Sequence, residues 1–214
     1  MKRQLEILKC ESSLLKQDKS VGGVILMGSV AYGTATDDSD LDILVLCDKD
    51  EFVTKYVDGI LVEIHFQKFE TLLKKLESNP MEVYKYLYSK VIFDNGKFTE
   101  LLNKANEIYI NYTTPEKERE GIIYWLSSVK IKLLSAIKSG DITKLSYLIS
   151  INTWKVLEGV WAVNNKPMPP SSLAYNTYNK LDLPLEIWFE KLLVGDVFAR
   201  AKTMIKVIDI ICCS

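Results

Sequence analysis

Two short apolar runs, residues 24–27 and 41–46, flank a loop of small and acidic residues, Gly28-Ser29-Val30-Ala31-Tyr32-Gly33-Thr34-Ala35-Thr36-Asp37-Asp38-Ser39-Asp40. No other stretch limits the fold so tightly. Each run has the length and composition of a buried strand. Asp40 and Asp42 stand i, i+2, which on a strand puts both carboxylates on one face and turns Leu41 and Ile43 to the other. Adjacent carboxylates repel, so such a pair needs a cation or a shared proton. Mg²⁺ suits it, because that ion takes few carboxylates and completes its shell with phosphate oxygens and water. Gly28 allows close approach of backbone to a ligand, and Ser29 offers a hydroxyl at the start of a helical turn. A phosphate cradle followed by a carboxylate pair reads as a nucleoside triphosphate site.

The stretch resembles the signature of the DNA polymerase beta-like nucleotidyltransferase superfamily: Gly-Ser, a loop with a second Gly, then Ser-Asp-x-Asp, at the spacing of the small bacterial members. An acidic surface turn without a ligand would match all six positions only by accident. The resemblance implies that Gly28, Ser29, Gly33 and Ser39 bind nucleotide and that Asp40 and Asp42 hold Mg²⁺.

Downstream, residues 51–57 and 60–66 alternate about Asp58-Gly59, a strong two-residue hairpin signal. In the second arm Leu61, Glu63 and His65 share one face. Glu63 is therefore the natural third carboxylate. The resemblance gives it the second metal ion, beside the attacking hydroxyl, and makes Asp40, Asp42 and Glu63 the catalytic set with two Mg²⁺ ions. His65, the only histidine, is read as a neighbour of the site. Ahead of the motif, Leu5, Leu8, Leu14 and Leu15 suggest an amphipathic helix over 4–16. After the hairpin come a helix over 69–77, a helix started by Pro80, a strand over 91–93, an Asp94-Asn95-Gly96 turn and a helix over 98–111. The resemblance extends over about residues 22–112, with motif-level specificity in 28–66.

The pattern changes near residues 112–115, with Thr114 a candidate N-cap and Pro115 a first helical residue. Two long helices and two or three shorter ones follow, and no strand pattern appears after Phe93. The fold class expected is α+β: a nucleotidyltransferase catalytic domain over 1–112, with a small mixed sheet flanked by helices, then an all-α helical bundle over 113–214. This order is similar to that of the kanamycin- and lincosamide-type nucleotidyltransferases. It also resembles HEPN–minimal nucleotidyltransferase toxin–antitoxin pairs in fused form. The bundle has no histidine, which argues against the HEPN ribonuclease pattern. Its expected role is to shape the acceptor pocket or to form a homodimer interface. In the kanamycin-type enzymes a glutamate of the helical half is the general base. No glutamate matches that position here, and Glu120 and Glu158 are the candidates. Trp125, Trp154 and Trp161 are expected in the core, and Lys130, Lys132 and Lys166 on a solvated face.

A formal net charge of −1 argues against a long nucleic-acid substrate. Cys10, Cys47, Cys212 and Cys213 lack metal-ligand spacing and read as reduced thiols, and the start lacks the apolar core of a signal peptide, so a cytoplasmic protein with no membrane partner is expected. The resemblance implies transfer of a nucleoside monophosphate, AMP first, from Mg–NTP to a hydroxyl of a small acceptor, with release of pyrophosphate. An aminoglycoside- or lincosamide-type antibiotic leads the acceptors, which would make antibiotic resistance the biological setting. Two alternatives stand beside it: an antitoxin-type nucleotidyltransferase that modifies a protein or RNA partner, and an inactive nucleotide-binding homologue.

Overall fold

Asp58 and Gly59 take left-handed backbone angles, φ 49° and 79°, and turn the chain between two strands as the Asp-Gly pair predicts. The computed structural model containing this hairpin describes residues 1–185 and 187–213. In chain order the first half runs through helix α1 (Lys2–Leu15), strand β1 (Gly23–Met27), helix α2 (Gly28–Tyr32) and strand β2 (Leu41–Leu46). Strands β3 (Glu51–Val57) and β4 (Ile60–Gln67) form the hairpin, and helix α3 (Phe69–Ser78) follows. Pro80 starts a 3-10 turn, Pro80–Glu82, which the Asn79 side chain caps by accepting a hydrogen bond from Met81 N at 3.1 Å, before helix α4 (Val83–Leu87). Strand β5 (Lys90–Asp94) and helix α5 (Lys97–Asn111) complete it.

The five strands lie in the order β3-β4-β2-β1-β5. All neighbours are antiparallel except β2 and β4, which run parallel. β2 is central, and of its residues only Asp42 escapes full burial. Ile7 and Leu8 of α1 join Val24, Leu26, Leu41, Ile43, Val45, Val62 and Ile64 in one core. That core faces away from Asp42 and Glu63, because side chains alternate along each strand.

The buried face of α1 differs from the leucine stripe expected of it. Gln4, Ile7, Leu8, Glu11 and Ser12 face inward, while Leu5 and Leu14 are exposed. Polar partners explain the rotation. Glu11 accepts a hydrogen bond from Lys55 Nζ at 2.8 Å, and the Gln4 amide bonds to backbone carbonyls.

Contacts divide the chain into two compact units, Met1–Asn111 and a second from Tyr112 onward. In the second, helix α6 (Glu116–Ser139) turns at Gly140 into α7 (Ile142–Val163), which Asp141 caps by accepting a hydrogen bond from Lys144 N at 2.9 Å. Helices α8 (Ser171–Thr177), α9 (Trp188–Leu193) and α10 (Val197–Cys213) follow, with a 3-10 turn at Tyr178–Lys180. No strand occurs after β5 among the described residues. The bundle core contains Leu126, Leu133, Ile149, Val160, Met204 and Ile208.

Two expectations for this unit fail. Thr114 does not cap α6: its hydroxyl donates to the Ala162 carbonyl at 2.9 Å, and Pro115 is the residue before the helix. Trp161 is in the core, but Trp125 and Trp154 are 53% and 39% exposed. The inward stripe of α6 is filled by Ile122, Leu126, Val129 and Leu133, which leaves Trp125 outside, its indole N–H donated to Asn152 Oδ1 at 2.9 Å.

Candidate active site

The site is assembled around the end of β1 and the start of β2. The antiparallel register sets Met27 opposite Asp42, so the next residue, Gly28, passes alongside the Asp42 carboxylate. Gly28 has φ 65°, and a Cβ there would lie 1.9 Å from Asp42 Oδ2. Both the backbone angle and the space therefore require glycine. Ser29 follows at the start of α2, and its Oγ is buried without a hydrogen-bond partner among the described residues. A buried hydroxyl without a partner is costly unless a ligand supplies one. Gly33 ends α2 in the left-handed conformation.

The third acid arrives through the parallel pairing. Asp42 of β2 is in register with Glu63 of β4, so their side chains leave the sheet on the same face. Asp40 sits one residue before β2 begins, exposed, and completes the group. One carboxylate oxygen from each of Asp40, Asp42 and Glu63 lies within 4.8 Å of the others. The Asp42 carboxyl is pushed up to about 6, first by burial, then by the charges of Asp40 and Glu63 and by a hydrogen bond to Glu63. Three crowded carboxylates, a glycine cradle and a buried hydroxyl without a partner fit a divalent cation with a phosphate group.

The remaining candidates are placed as follows. Ser39 uses its hydroxyl inside the loop, accepting from Thr36 N at 2.9 Å. His65 stacks against Phe52 at 4.5 Å between ring centroids. Burial lowers its pKa, the Glu63 charge opposes this, and the charges of Lys85 and Lys75 add to the lowering. Glu120 and Glu158 belong to the helical unit: Glu120 is exposed on α6, and Glu158 on α7 is ion-paired with Lys155. Lys130 pairs with Asp209, and Lys132 is exposed.

Two residues near the acids escape the sequence reading. Tyr32, half-buried on α2, has its hydroxyl pKa raised by burial and then by the charge of Asp42. Gln4 contacts the loop that precedes Asp40. The signal for Gln4 was a polar residue on the Ile7–Leu8–Glu11 helical stripe, which is legible only once that stripe is known to face the sheet.

The family described as "Nucleotidyltransferase domain" matches residues 7–137, a span that includes all three acids and crosses from the first compact unit into the second. No curated protein sequence matches the chain. Among solved structures, a nucleotidyltransferase-like protein from Exiguobacterium sibiricum 255-15 is similar over 99% of this chain and 74% of its own, at 14% identity and a TM-score of 0.43. Spectinomycin adenyltransferase AAD(9) from Enterococcus faecialis, solved with ATP and spectinomycin, is similar over 98% of this chain and 99% of its own, at 14% identity and a TM-score of 0.33.

Proposed function

Because the chain belongs to the nucleotidyltransferase domain family, we propose that it transfers a nucleoside monophosphate, AMP first among them, from a Mg²⁺-bound triphosphate to a hydroxyl of a small acceptor. The observation that carries this reading is the meeting of Asp40, Asp42 and Glu63 beside a glycine that admits nothing larger. Asp40 and Asp42 would hold the ion that grips the triphosphate, and the three acids together a second one near the acceptor. Ions bound there would lower the pKa of the acceptor hydroxyl and offset the negative charge on the oxygens around the α-phosphorus. Gly28 leaves room for the Asp42 carboxylate beside the backbone, and Ser29 Oγ, buried without a partner among the described residues, would donate to a phosphate oxygen. The acceptor oxygen forms its bond to the α-phosphorus in line with the bridging oxygen of the leaving pyrophosphate, whose bond breaks. For the acceptor proton, Glu120 is the first base to test, since Glu158 is engaged by Lys155.

A net charge of −1 favours a small acceptor over a long nucleic acid. Among the described residues no helix is long and apolar enough to cross a membrane. The test is pyrophosphate release from each NTP with Mg²⁺ across aminoglycosides, lincosamides and small RNAs, with the Asp40→Ala/Asp42→Ala double variant as control. Acceptor-dependent release that vanishes in the control is expected. Release without any of these acceptors, on adding a protein partner instead, would favour the antitoxin-type reading. No Mg²⁺-dependent binding of any NTP would overturn the proposal.

A further inference from the structure

Gln4 is 0% exposed, yet it is polar and sits in the first turn of α1. Its Nε2 lies 3.0 Å from the Thr36 carbonyl oxygen, 3.1 Å from that of Asp37 and 3.1 Å from that of Ser39. An amide NH₂ has two hydrogens, so the three carbonyls share them. Its Oε1 has no partner among the described residues. Burying an amide with one end unsatisfied is unfavourable, so the Nε2 bonds are the only gain visible from having glutamine here. All three acceptors belong to one loop, and the last belongs to the peptide bond that joins Ser39 to Asp40. The loop's own bonds are local: Ser39 N donates to the Thr36 carbonyl at 3.3 Å, and Thr36 N to Ser39 Oγ at 2.9 Å. They close the turn without tying it to α1. Two contacts make that tie: an exposed ion pair, in which the Met1 amino group donates to Asp37 Oδ1 at 2.7 Å, of the kind that contributes little in water, and the buried amide of Gln4.

We propose that Gln4 is a positioning residue for Asp40: it gathers three carbonyls of the 36–39 loop onto α1 and so sets the peptide from which the Asp40 carboxylate reaches Asp42 and Glu63. This rests on the reading of Asp40 as a metal ligand. Without the amide, three carbonyl dipoles converge with no donor between them, and the loop relaxes toward water. Asp40, outside the strand ladder, moves with it; Asp42 and Glu63, inside the ladder, stay.

The test titrates Mg²⁺ into the full chain at saturating ATP and follows thermal stabilisation in the parent, in Gln4→Met and in the Asp40→Ala/Asp42→Ala double variant. Gln4→Met is expected to raise the Mg²⁺ concentration for half-maximal stabilisation about tenfold, the scale on which removal of a group that orients a metal ligand is felt. Full stabilisation should return at high Mg²⁺. Without metal or nucleotide, amide hydrogen exchange over residues 36–42 should quicken in Gln4→Met. A merely structural role lowers the melting temperature and leaves the Mg²⁺ half-point at the parent's value; that result overturns the inference alone. A parent that shows no Mg²⁺–ATP stabilisation overturns the active-site reading and this inference together. If Gln4→Met does not fold, Gln4→Asn keeps a polar amide one methylene short of the loop and is judged by the same two readouts.

Discussion

Asp42 carries the electrostatic signature of the three-acid cluster. Burial first, then the neighbouring acids, lift its carboxyl to about 6 from an ordinary value of 3.8. The folded, metal-free protein therefore holds this proton more tightly than the unfolded chain does. The penalty for ionising Asp42 is absent below the ordinary carboxylate value, grows between it and about pH 6, and is complete above that. Asp42→Asn is accordingly expected to raise the melting temperature of the metal-free protein at pH 8, by a margin that shrinks toward zero at pH 4. The same variant should lose the stabilisation that Mg²⁺–ATP gives the parent. Thermal melts across pH, with and without Mg²⁺–ATP, check both halves. A variant no more stable than the parent at pH 8 would show that the acids are not crowded in solution.

Among the elements, α5 shows how a local sequence signal becomes an anchor. Asp94 ends β5, and its carboxylate accepts hydrogen bonds from Phe98 N and Thr99 N, each at 2.9 Å, and from Thr99 Oγ1 at 2.8 Å. Burial pushes this carboxyl up, but the bonds from Phe98 and Thr99 outweigh it and hold it below the usual range. Its contribution is thus present above the ordinary carboxylate pKa and is lost as pH falls through the lowered one. Asp94→Ala is expected to cost about 1 kcal/mol at pH 7, as for other helix caps, and less in acid. Urea unfolding at pH 7 and pH 3 measures the difference. The capped end also places Phe98, whose ring packs where a Cβ on Gly23 would be, 2.6 Å away. The cap, the start of β1 and the strand that leads to Gly28 are in this way mechanically linked.

At the level of the whole molecule, one core is built on the sheet and another on the bundle, in separate compact units. Leu133, fully buried in the bundle, should cost about 2–5 kcal/mol when cut to alanine. Hydrogen exchange would locate the loss: faster exchange in α6, α7 and α10, with β1, β2 and β4 unchanged. Uniformly faster exchange would mean that the two cores unfold as one. The sequence by itself determined what depends on short-range sterics and period: the Asp58-Gly59 turn, the alternation that puts Glu63 and His65 on one face of β4, the glycine at position 28, and the place where strands give way to helices. Each is decided within a few residues by backbone angles or by which way successive side chains point. Only the tertiary structure decided that β4 runs parallel to β2 with Glu63 in register with Asp42, that Gln4 lies inside while Leu5 lies outside, and that Trp125 stays at the surface. Those outcomes depend on which distant segments meet, and the chain between them is too long for local sterics to choose the partner.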